Sequence, residues 1–244
     1  ILLSALILPI FVSVSSIVSW DFGVSIVPNW HSSVFAAYFV MGAVHSGLAA
    51  VVALTVMVRW LFRWENYITL DHFDALGKLL IAVATTWLFF SFLEFTFGLY
   101  SGETQEVAVK ELQLFQWPYS LIFLVFIATA YLIPVPLWLF RRVRKNIRIM
   151  FWTSILVNLG MWLERFLIIV PGLQYKQPLT FVWTEYTPSV IEAALVVSSF
   201  AFVGMGLLLF SKFFPTIPIG DHKEGNLLAD ELQVGRVRLP AIRR

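Results

Sequence analysis

Asn158-Leu159-Gly160-Met161-Trp162-Leu163-Glu164-Arg165-Phe166-Leu167-Ile168-Ile169-Val170 sets an acid beside an arginine inside a long apolar run. An ionisable side chain at bilayer depth costs at least ~2.5–3.5 kcal/mol on insertion scales, so such a residue marks a function or a paired network. Neighbours in a helix point about 100° apart. Glu164 and Arg165 therefore do not simply neutralise each other, and each needs a partner from another helix. The stretch reads as a membrane helix buried in a bundle, and that reading decides the fold class.

Composition agrees. Of 244 residues, 59% are hydrophobic and 13% charged, with a mean hydropathy of +0.81. Soluble domains carry about 25% charged residues, so a soluble protein is excluded. Apolar runs of helical length, rather than short alternating segments, point to an all-α integral membrane protein and not a barrel. The sequence contains no cysteine, which rules out disulfides, thiol catalysis and iron–sulfur ligation by its own side chains.

Six spans follow in order. Residues 1–18 read as the end of a preceding transmembrane helix, because the sequence starts apolar without a basic n-region. Residues 19–33, with Trp20, Asp21, Pro28, Trp30 and His31, read as an interfacial connection. Further spans cover about 34–60, 79–100, 115–140 and 149–170, the region 34–170 forming a four-helix bundle, and the final span covers 189–212. Residues 213–244 read as a polar tail. Lys and Arg concentrate in 59–78, 141–148 and the tail, whereas 19–33, 101–114 and 171–188 hold none, one and one. The positive-inside rule puts the basic connections and the carboxy-terminus in the cytoplasm.

At ~1.5 Å per residue, Glu94, Glu164, Arg165 and Glu192 fall in the outer half of the membrane at overlapping depths. Arg165 is expected to pair with Glu94 or Glu192, leaving another acid free to titrate. His45 falls nearer the midplane. Asp71, His72 and Asp74 lie at the cytoplasmic foot of the third span. Together these residues make a possible ladder of protonatable groups. The plainer alternatives stay open: Glu164–Arg165 as a packing pair, His45 as a packing histidine, and Asp71, His72 and Asp74 as a solvated loop end and helix cap. His31 and His45 are fourteen residues apart, a spacing that suits two haem ligands. The remaining histidines, His72 in a loop and His222 in the tail, do not reach opposing positions, so no haem is expected.

Several blocks resemble one family. Ser19 to Ser32 with Phe35, Tyr38, Phe39 and Gly42, Leu70 to Leu80, Glu94 with Tyr100-Ser101-Gly102, and above all Asn158 to Val170 resemble the NrfD/PsrC-type integral membrane subunits of bacterial alternative complex III. The resemblance covers essentially the whole chain and implies the carboxy-terminal half of an ActC- or ActF-like subunit. It implies a quinol:electron-acceptor oxidoreductase in the bacterial inner membrane, with quinol (such as menaquinol) as substrate. It also implies an iron–sulfur subunit, multihaem cytochrome c subunits and a homologous membrane subunit as partners. No nucleic-acid partner is expected. Asp21, flanked by Trp20 and with His31 nearby, is the candidate quinol contact, an acid beside the ring acting as general base; a helix cap at the interface is its alternative. Two other functions remain open: a secondary transporter or ion channel, favoured by a broken midplane helix, and a structural anchor for an extrinsic redox module.

Overall fold

The computed structural model describes residues 2–65, 67–174, 188–213, 231–234 and 237–240. Two compact units divide the chain, Ile1–Glu185 and Tyr186–Arg244. The first holds α1 (Leu2–Gly23), α2 (Phe35–Phe62), α3 (Leu70–Tyr100), α4 (Thr104–Phe115), α5 (Tyr119–Ile127), a π-helical turn (Ala128–Leu132), α6 (Pro134–Leu139), α7 (Arg141–Arg144) and α8 (Ile147–Gln174). The second holds α9 (Val190–Phe213) and a hairpin of β1 (Glu231–Val234) and β2 (Val237–Pro240) within the stretch read as a polar tail. Among the described residues six helical segments are long and apolar enough to cross a membrane, the fourth being α5 to α6 taken together. Apart from that short hairpin, the regular elements among the described residues are helices, and the protein is an all-α integral membrane protein.

The core of the first unit forms where α2, α3, the α5–α6 span and α8 meet, with α1 against α2. The buried positions of α8 include Met150, Thr153, Val157, Gly160, Glu164, Leu167 and Pro171, a spacing of three and four that keeps one face inward. Phe89, Phe92, Trp152 and Trp162 are exposed, as suits side chains facing lipid.

Four boundaries differ from the sequence reading, the first being that of α1, which runs to Gly23 and takes in Trp20 and Asp21 from the expected 19–33 connection. The loop expected over 59–78 is short: α3 begins at Leu70, so Asp71, His72, Asp74 and Lys78 are helical. Thr69 and His72 close a capping box there, with the Thr69 hydroxyl 2.8 Å from His72 Nδ1. The polar connection 101–114 is largely the helix α4, whose Glu106, Val109, Lys110 and Gln113 are buried. Finally, α8 runs past Pro171 to Gln174.

Two of the four prolines inside the described spans, Pro171 and Pro134, explain much of the local design. Proline has no N–H and its ring crowds the carbonyl four residues earlier. For Pro171 that carbonyl is Leu167, and it accepts from Gln113 Nε2 at 2.8 Å. The next carbonyl, Ile168, accepts from Trp30 Nε1 at 2.7 Å and Asn29 Nδ2 at 3.3 Å. For Pro134 the carbonyl is Ala130 in the π turn, and His45 Nε2 lies 3.3 Å from it. Freed backbone groups at membrane depth persist only where side chains re-satisfy them. Here α4, the 24–34 connection and α2 do so.

Candidate functional site

Glu164 is 1% exposed. Its Oε1 accepts from the Tyr38 hydroxyl at 2.5 Å and from Trp87 Nε1 at 2.9 Å. One carboxylate oxygen thus ties α2 and α3 to α8. Its Oε2 has no hydrogen-bond partner among the described residues and lies 3.8 Å from the Arg165 guanidinium. Arg165 turns onto α2, its guanidinium 4.1 Å above the Phe39 ring and 3.4 Å from the Phe39 carbonyl. Gly42 makes the room: a Cβ there would stand 2.7 Å from Arg165 and 3.5 Å from Glu164 Oε2.

The expected pairing of Arg165 with Glu94 is not found. Long side chains let Arg165 reach back to Glu164 itself, at ion-contact distance but without a hydrogen bond. Glu94 instead accepts from the Ser32 hydroxyl at 2.6 Å. Glu192 belongs to the second unit, where it closes a cap with Ser189 (3.0 and 3.3 Å).

Behind Glu164, the Trp87 ring stacks on His45 with centroids 5.6 Å apart and planes 17° from parallel. His45 is fully buried. With Nε2 donating to Ala130, its Nδ1 is an acceptor, without a partner among the described residues. Gly160 lets the π turn press against α8; a Cβ there would meet Ala130 N at 2.7 Å.

Towards the end of the bundle formed by the 24–34 connection and α4, a second cluster surrounds Lys110. This ammonium is 2% exposed, donates to Asn29 Oδ1 at 2.7 Å and lies 4.3 Å from the Phe95 ring centre. Asn29 adopts the left-handed backbone at φ 76°, which asparagine tolerates, and its N–H donates to Glu106 Oε1 at 2.9 Å. Burial pushes Lys110 below the ordinary lysine range, while Glu94 and Glu106 pull it back up.

Two spaces meet at Glu94. An open cleft of about 840 Å³ is lined by Trp20, His31, Ser32, Glu94, Tyr100 and Glu106 among others. An inner cavity of about 20 Å³ is lined by Tyr38, Glu94, Lys110, Gln113 and Glu164 among others. The candidate quinol contacts Trp20 and His31 are thus brought together in the cleft. Asp21 is exposed in the last turn of α1 and is not among the cleft's lining residues, because successive positions on α1 point apart. Glu94 faces the cleft.

At the opposite end Asp74 is held by Arg144 Nε and by Lys78, both at 2.8 Å, and Asp71 by Lys145 at 2.8 Å. Arg144 also donates to the carbonyls of Trp138 and Leu139 at 2.6 and 2.9 Å, capping α6. His72 closes the cap at Thr69, while Asp71 and Asp74 of α3 are held in ion pairs. His222 lies outside the described residues.

Sequence reading missed Tyr38, Trp87, Asn29, Lys110 and Gln113. A signal for the last two existed: Glu106, Lys110 and Gln113 recur at i, i+4 and i+7, one face of a helix.

The family model described as polysulphide reductase, NrfD matches residues 2–176. No curated protein matches the chain.

Proposed function

The chain belongs to the NrfD family, membrane subunits of quinol-linked redox complexes that typically partner with iron–sulfur subunits, and from that premise we propose a quinol-side proton path through this bundle. The subunit takes part in quinol oxidation within an alternative complex III, in the bacterial inner membrane, with its carboxy-terminus cytoplasmic. Its partners there are an iron–sulfur subunit, multihaem cytochrome c subunits and a homologous membrane subunit.

One observation carries the reading: Glu94 lines both the open cleft and the inner cavity that Glu164 also lines. A cleft of about 840 Å³ is within the size range of small-molecule sites. Its Trp20 and Tyr100 supply flat apolar surface for a ring, and His31 and Ser32 supply polar contacts. Oxidation of a quinol releases two protons, so a carboxylate at the ring serves as general base. In this reading Glu94, which accepts from Ser32 and lines the cleft, takes that role. The proton then has a line of acceptors inward: Glu164 next to Tyr38, and His45 across Trp87.

The test compares Glu94→Gln with Asp21→Asn in the assembled complex. Quinol oxidation in Glu94→Gln is expected to fall by roughly 10²-fold, the usual contribution of a general base, while Asp21→Asn stays close to wild type. The reverse order would move the proton acceptor to Asp21. A transporter reading gains one feature, the span interrupted at the π turn. Ion flux through the reconstituted complex without quinol turnover would favour it.

A further inference from the structure

The inner cavity between Glu94 and Glu164 has a specific chemistry. Its volume of about 20 Å³ matches the room one water occupies. Two lining residues carry buried oxygens without hydrogen-bond partners among the described residues: Gln113 Oε1 and Glu164 Oε2. Both residues are deeply buried, at 3% and 1% exposure. Among the other lining polar groups, Tyr38 donates to Glu164 Oε1, Lys110 donates to Asn29 Oδ1, and Glu94 Oε2 accepts from Ser32. A buried water takes about three hydrogen bonds, typically to polar atoms otherwise unsatisfied. Gln113 Oε1, and Glu164 Oε2 with only the Arg165 guanidinium at 3.8 Å beside it, match the two O–H bonds of a water, whose own oxygen remains to accept one.

We propose that this cavity is a resident-water site, formed by Gln113 Oε1 and Glu164 Oε2, which joins Glu94 to Glu164. Gln113 has two tasks. Its amide nitrogen satisfies the Leu167 carbonyl freed by Pro171, and that bond fixes its oxygen towards the water. In transfer, the O–H bond of a protonated Glu94 breaks and its proton joins the water oxygen. The water's O–H to Glu164 breaks in turn, and that proton ends on Glu164 Oε2. Glu94 is left as a carboxylate near the Lys110 ammonium, the water is restored, and one proton has moved. The transfer role rests on the function proposed above; the water site does not.

The assembled complex, imaged at a resolution that shows ordered waters, tests the site directly. Density within hydrogen-bond reach of both Gln113 Oε1 and Glu164 Oε2 is expected, and an O–H stretch of an isolated internal water should shift on exchange into H2(18O). A cavity without density and without that band overturns the proposal. Leu167→Phe fills the same space and leaves every carboxylate in place. Where this variant assembles, it should lose the water and slow proton release by roughly tenfold or more, as small misplacements of reacting groups do. Unchanged release with the water displaced overturns the bridging role. No density alongside an impaired Glu164→Gln sinks this proposal alone. Density alongside an unimpaired Glu164→Gln sinks the proton path alone and upholds the water site.

Discussion

Glu164, Gly42 and Lys110 each carry a cost that neighbouring residues offset. Glu164 is buried with two neutral donors on one oxygen and a distant guanidinium on the other. Gly42 supplies the space that lets Arg165 fold over Phe39. Gly42→Ala is therefore expected to destabilise the subunit by about 1–3 kcal/mol, as overpacking of a tight interior does. Thermal unfolding of the purified complex would show it, and an unchanged midpoint would mean Arg165 moves aside freely. For Lys110 the sign is set by burial. Its folded-state affinity for a proton lies below the unfolded one. The folded state then binds fewer protons than the unfolded state in the alkaline range below the ordinary lysine value. Stability contributed by this group rises with pH there. Wild type should gain stability over Lys110→Met as pH climbs through that window; a flat difference would contradict it. Glu94 and Glu164 were legible in the sequence because a charge in an apolar run is costly wherever the helix packs. Tyr38 and Trp87 were not, since aromatic residues abound in such spans and their polar ends show only once a partner is in place.

At the scale of elements, proline placement organises the site. Pro171 frees the Leu167 carbonyl and Gln113 of α4 takes it. Gln113→Leu should cost about 1–3 kcal/mol, the usual penalty for an unsatisfied buried group. Pro171→Ala restores an N–H at the position that serves Leu167, so the same Gln113→Leu change made on that background should cost less. Additive losses in this double-mutant cycle would remove the link. The helix α4 was the element least legible in advance. Its charges resemble those of a solvated loop, and hydropathy along the chain does not register that Lys110 and Gln113 fold back between α3, α5 and α8. The spans themselves were legible because membrane thickness fixes their length. Their ends were not: α2, α3 and α8 run beyond the apolar stretch, where a capping box at Thr69 and the ion pairs of Asp71 and Asp74 extend the helix.

Over the whole molecule, the two ends of the bundle differ in kind. One end has an open cleft with three acids, Glu94, Glu103 and Glu106, and a buried lysine beneath it. The other end is stitched by Asp74–Arg144–Lys78 and Asp71–Lys145. Asp74→Asn should lower the thermal midpoint without impairing proton release, because Asp74 is committed to holding α3 against α7. Selective loss of proton transfer would restore it to the path. The orientation has its own check. The sequence has no cysteine, so Arg142→Cys, at an exposed position beside the ion-paired end, introduces a single thiol into this chain. An impermeant reagent should label it only from the cytoplasmic face.

In the proposed path Glu164 carries protons and does not merely hold three helices together. Glu164→Gln separates the two, because the amide oxygen still accepts from Tyr38 and Trp87 while the titratable group is gone. Proton release per quinol oxidised, measured in the reconstituted complex, decides it. Intact assembly with proton release and turnover reduced by roughly 10²-fold, the scale of a lost proton-transfer group, is the predicted result. Wild-type release and turnover in a fully assembled Glu164→Gln complex would contradict the account and leave Glu164 a packing residue.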